Sequence, residues 1–152
     1  MHLITYLDFL QTAEQTLGHS YQLVSDGHVP DADVHWTTAR FGGQCTEHAA
    51  ALEPIRSRSE TPNEPAPERL HAPGLTTTRT GPAGLLRDLQ DLYQLATLID
   101  ITWELIGQAG QAVRDRDLLR VVEDCASETS AQLAWLRMRM KAVAPQTLIV
   151  AS

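Results

Sequence analysis

Apolar residues recur along four stretches of the chain in alternating steps of three and four. Leu3, Leu7, Leu10, Glu14, Leu17, Tyr21 and Val24 form the first stripe. Val34, Thr38, Phe41, Cys45, His48, Leu52 and Ile55 form the second. The third is Leu85, Leu89, Leu92, Ala96, Ile99, Trp103 and Ile106. The fourth is Leu118, Val122, Cys125, Thr129, Gln132 or Leu133, Leu136 and Met140. That spacing keeps side chains on one face of a helix with a period near 3.6 residues. It predicts helices over about Leu3–Val24, Ala32–Arg58, Ala83–Val113 and Leu118–Val143.

Punctuation between the stripes agrees. Asp26-Gly27-His28-Val29-Pro30-Asp31 predicts a turn, and Arg114-Asp115-Arg116-Asp117 a second, tighter one. Gly81-Pro82 marks the third helix start. Pro54 is expected to kink or end the second helix near Glu53, and Pro145 to end the fourth. Gly18 should let a neighbouring helix come close. From residue 57 to 82 the period is lost in a run rich in Pro, Glu and Thr, which predicts a solvated connector, pinned through Leu70 and Leu75. The apolar tail Gln146-Thr147-Leu148-Ile149-Val150 is expected to pack on the surface or on another chain.

Connector length then constrains topology. Short links make the first helix an antiparallel neighbour of the second, and the third of the fourth. A link of about 25 residues reaches ~80 Å when extended, twice the ~40 Å of the second helix. It can run the whole bundle and start the third helix parallel to the second. The expected fold is all-α: one domain over residues 1–152, an antiparallel four-helix bundle with a long crossover between helices two and three.

Composition narrows the classes. At 152 residues, 43% of them apolar, the chain can bury a real core. Aromatics are only 5%, so that core rests on Leu, Ala, Val and Ile. A formal charge of -7 without a basic tract argues against a nucleic-acid partner. No apolar run approaches the ~20 residues of a membrane span. Met1-His2-Leu3-Ile4-Thr5 lacks a basic leader, so no signal peptide is expected. Cys45 and Cys125 are too few for a disulfide framework, and a cytoplasmic location follows as the expectation.

Polar residues that interrupt the stripes are the candidates for chemistry. Glu14 takes an apolar position in the first seam, and a buried carboxylate requires a partner. His48 is the natural one. The pair serves as a metal or base site, or as a satisfied polar contact that fixes register. Cys45-x-x-His48 puts a thiol and an imidazole on one face: half of a metal site, an activated thiol, or a small buried residue beside a core histidine. Asp100 and Glu104 share a face of the third helix. They bind a cation together with Glu128, or form a salt-bridged face near Arg137. His19, His28, His35 and His71 share no spacing and read as surface or turn residues. Trp36, Trp103 and Trp135 read as packing anchors.

Over nearly its whole length this layout resembles the ferritin-like superfamily. The resemblance implies a metal inventory: one Glu from each of two helices and Glu-x-x-His from each of the other two. Carried across, it marks Glu14, His48, Asp100 or Glu104, and Glu123 or Glu128, with iron, manganese or zinc as the metal. Cys45 stands where the pattern has Glu, and Ala126 and Ala131 where it has His. The stretch from Trp135 to Leu148, with Asp88-Leu89-Gln90-Asp91-Leu92-Tyr93 and Cys45-Thr46-Glu47-His48, is similar to a family of small bacterial proteins. That likeness implies a ferritin-like bundle and no particular activity. The leading expectation is a non-enzymatic binding or structural module, with a protein partner or a second copy. The alternative is a redox or stress protein holding one metal on Glu14, Cys45 and His48 with Asp100 or Glu128. A thiol sensor using Cys45 is the third.

Overall fold

Each apolar stripe folds into a helix because only a helix puts all its members on one side. The computed structural model describes residues 2–58 and 71–150, and every element in them is helical. Helices α1 (Leu3–Gly27), α2 (Ala32–Ser57), α3 (Gly81–Val113) and α4 (Arg116–Pro145) are followed by a π turn over Gln146–Val150. The second and third stripes are buried throughout; elsewhere only Leu3, Val122 and Met140 are left partly covered. Each fully buried Leu or Ile contributes ~1.5–3 kcal/mol of transfer free energy, so these ladders carry the fold.

The helix ends follow local chemistry. The Asp115 side chain accepts a hydrogen bond from the backbone N–H of Leu118 at 3.1 Å and caps α4. Arg114, at φ 57°, takes the left-handed conformation that closes α3, and the Asp115 N–H returns to the Gly110 carbonyl at 3.0 Å. Pro54 does not end α2, which continues to Ser57. It lies in the last turn, and the carbonyl whose helical bond it removes belongs to Ala50, an exposed residue. Pro145 ends α4 as expected, and a π turn follows over Gln146–Val150. The tail lies against α3 and α4. Thr147 is covered, while Leu148, Ile149 and Val150 are exposed.

Helix neighbours are α1 with α2, α3 with α4, α1 with α3, and α2 with α4. Among the described residues, α1 and α4 make no close backbone approach, nor do α2 and α3, so these pairs lie across the diagonals. Followed forward, α1 meets α2 in reverse order: Asp8 with Arg56, Gln11 with Ala49, Glu14 with His48, Ser25 with His35. Likewise Asp33 of α2 meets Arg139 of α4, Gln44 meets Gln132, and His48 meets Glu128. Gly18 brings α1 close to α2 as expected, and Gly42 answers it from α2. A Cβ on Gly42 would stand 3.2 Å from the Gly18 carbonyl oxygen.

The described half of the connector, residues 71–80, is a strap laid along α1. Leu75 packs on the core, and its N–H donates to Ser20 Oγ at 3.1 Å. Thr78 covers Gly27. Leu70 lies outside the described residues. The strap ends at Asp88 of α3, which is fully buried. Asp88 Oδ2 accepts from the Arg79 backbone N–H at 3.0 Å and lies 2.7 Å from His28 Nε2. Its Oδ1 accepts from the Arg79 guanidinium at 2.7 Å, which also reaches Asp91 at 2.9 Å. One carboxylate thus ties the α1–α2 turn, the strap and α3 together. His28 is therefore not the surface residue its turn position suggested.

Candidate functional site

Halfway along the bundle the apolar ladders are broken by polar side chains from all four helices. Glu14 of α1 is fully buried. Its Oε1 accepts a hydrogen bond from Trp103 Nε1 of α3 at 2.8 Å. The same oxygen lies 3.1 Å from His48 Nδ1 of α2, and His48 Nε2 lies 3.0 Å from Glu128 Oε1 of α4. A carboxylate only accepts, so two such contacts require both ring nitrogens to donate. His48 is held between two carboxyl groups, an arrangement that favours the imidazolium. Burial pulls its pKa down, but the bonds and charges of Glu14 and Glu128 outweigh it and the net shift is upward. Trp103 closes the cluster edge-on to the ring, with centroids 6.3 Å apart.

The two carboxylates differ. The Glu128 side chain is 41% exposed, so its charge is hydrated from the bundle surface. Among the described residues, Glu14 Oε2 is buried and has no hydrogen-bond partner. Such an oxygen forfeits its hydration, a cost of about 1–3 kcal/mol or more for a charged group.

Cys45, one turn before His48, is fully buried beside this cluster. Burial, then the charge of Glu14, pushes its thiol well above the ordinary thiol range. Cys125 of α4 is pushed up to about 12, again by burial first and then by Glu14, Glu128 and Asp124. Both are free, and both hold their protons at neutral pH. The imidazole does not activate Cys45, because His48 has already given both N–H groups to carboxylates. Farther along the bundle lies an uncharged layer. Tyr21 Oη donates to Gln132 Oε1 at 3.0 Å, and Gln132 Nε2 donates to Gln44 Oε1 at 3.0 Å. Burial raises the Tyr21 pKa, so the phenol remains a donor.

Of the sequence candidates, Glu14, His48 and Glu128 converge, with Cys45 alongside. Asp100 stands apart, half-buried on the flank of α3 beside Glu104. Its pKa is raised by burial and then by that neighbouring charge. Arg137 does not answer either of them; it lies over the Tyr93 ring at 5.9 Å. Trp36 is no anchor, being 71% exposed, whereas Trp103 is fully buried and Trp135 packs on Phe41. Among the described residues, no group of three or more His, Cys, Asp or Glu side chains is arranged to hold a metal ion. The dinuclear iron inventory is not met, because the three converging groups close on one another and α4 brings no histidine. No protein-family model matches the chain, and neither does any curated protein or solved structure.

Sequence reasoning missed two parts of this chemistry and left a third open. The Trp103 indole acts as a donor as well as an anchor. Gln132, not Leu133, takes the inner position. His28 continues the 4/3 spacing from Tyr21 and Val24, a signal hidden by the turn residues around it.

Proposed function

We propose that this chain is a non-enzymatic binding module built on an antiparallel, ferritin-like bundle with a crossover between α2 and α3. In it an organic cation, the His48 imidazolium, takes the role a metal ion plays between carboxylates. The observation that carries this reading is the double engagement of His48, which leaves neither nitrogen free as a ligand. Two features support the crossover path. The strap runs alongside α1 in the direction of α1, and α2 and α3 stand across a diagonal. A charged cluster of this kind fixes helix register and rotamers. Function then lies on the outer surface, toward a protein partner, with the cytoplasm as its setting and neither nucleic acid nor membrane as its target.

The test is metal content by plasma mass spectrometry, on untagged protein purified without chelator. The expected result is a folded bundle with far less than one metal per chain. Near-stoichiometric iron, manganese or zinc, lost in Glu14→Ala or His48→Ala, overturns the proposal.

One observation favours a second reading. Glu14 Oε2 is a buried, unpartnered carboxylate oxygen beside Cys45. A single metal on Glu14, Cys45 and His48, with Glu128 or Asp100, would satisfy it and make the chain a redox or stress protein. Binding would require His48 to release one carboxylate. The same metal measurement separates the two readings.

A further inference from the structure

The outer face of α3 carries a second apolar row. Leu98, Ile101 and Leu105 follow at steps of three and four and are exposed, although the core seam of α3 lies on its other side. Beside this row, between α3 and α4, runs a groove of about 570 Å³. Ile101, Leu105, Leu119 and Val122 supply its apolar surface. Gly107 and Ala126 give it depth by having almost no side chain there. From Ile101 to Gln111 it follows about three turns of α3, ~15 Å, which is the footprint of a docked helix of similar length.

Charge selects among occupants. Glu104 and Glu123 line the groove, and Asp100 sits against Glu104. No Arg or Lys lines it, and none of these three carboxylates has an ion pair among the described residues. Four arginines are spent on other faces: Arg56 on Asp8, Arg58 on Asp115, Arg79 on Asp88 and Asp91, Arg139 on Asp33. A second copy would bring the same acidic rim to its own, and like charges would face each other. A basic amphipathic helix would place apolar residues on Ile101 and Leu105 and its cations on the rim.

We infer that the α3–α4 groove is a docking site for a basic amphipathic helix of a partner protein. This rests on the reading of the chain as a binding module. It fails separately from that reading, since metal content does not depend on the groove.

The test uses full-length protein and two synthetic helices of ~18 residues, long enough to span the groove. They share one Leu/Ala face and carry either Arg or Glu along both flanks. Titration calorimetry at low and physiological salt should show the Arg helix binding, more weakly at the higher salt, and the Glu helix not binding. Ile101→Arg, on an exposed position, should weaken the Arg helix at least about tenfold, equal to ~1.4 kcal/mol, with an unchanged helical spectrum. Glu104→Arg should shift preference toward the Glu helix. Equal binding of both peptides, or binding of neither, overturns the inference. So does sedimentation showing a dimer that Ile101→Arg dissociates, because the occupant is then a second copy.

Discussion

Two buried carboxylates face histidines in this molecule, and they are used in opposite ways. Asp88, near one end of the bundle, spends both oxygens: one on Arg79, the other on His28 and the Arg79 backbone. Glu14, at the middle, spends one oxygen on Trp103 and His48 and leaves the other without a partner among the described residues. Asp88 joins three segments of irregular or terminal backbone: a turn, a strap and the start of α3. Glu14 joins helices already packed together by their leucines. A buried charge is well satisfied where it organises irregular chain, because loop backbone and flexible arginines can move to meet it. In the helical interior the partners are fixed by the ladders, and an oxygen can be left over.

The largest effect should come from breaking the end clamp. Asp88→Ala strips His28 and Arg79 of their shared anion, and loss of such a buried pair costs about 3–5 kcal/mol. Urea unfolding should show it, and hydrogen exchange should show the Leu75 and Arg79 amides losing protection. An effect below ~1 kcal/mol would mean that the strap is held by its apolar contacts instead.

Next is the middle cluster's dependence on pH. The His48 pKa is raised in the folded state, where burial opposes Glu14 and Glu128 and loses to them. Its contribution is therefore fully present below the ordinary histidine value of ~6.5 and is lost as pH rises through the higher folded value. Unfolding midpoints measured upward from pH 6 should fall, and His48→Gln should flatten that fall. Equal slopes in the two proteins would mean that His48 is not the titrating group.

Glu14→Gln is a milder break. It keeps an acceptor for Trp103 and discharges the oxygen that has no partner, so the expected cost is about 1 kcal/mol or less. If it equals Asp88→Ala, the two carboxylates are not different in kind. The smallest effect belongs to Trp36→Ser. At 71% exposure this side chain contributes to no core, and stability should change by less than ~0.5 kcal/mol.

Much of this arrangement was legible from the stripes. Cys45, His48, Thr38 and Glu14 are buried because a helix that hides its leucines hides whatever shares their face. The partnership of Glu14 with His48 followed from the cost of a lone buried carboxylate. Four-residue spacing put Asp100 and Glu104 on one face of α3 without saying which helix that face meets, and Asp100 lies beside Glu104 on the flank of α3. Pro145 does end α4, whereas Pro54 does not end α2, because a proline in the last turn of a helix removes few of its hydrogen bonds.

The sequence by itself determined which residues face inward and roughly where each helix runs, since both depend on periodicity within a single segment. It also bounded the connector's reach. Only the tertiary structure decided that His48 touches Glu128, that Trp103 donates to Glu14, and that Asp88 gathers His28 and Arg79. Those contacts join residues from 9 to 89 positions apart. Their geometry depends on the relative rotation and height of whole helices. No local pattern encodes that, because it is set by how all the ladders interlock at once.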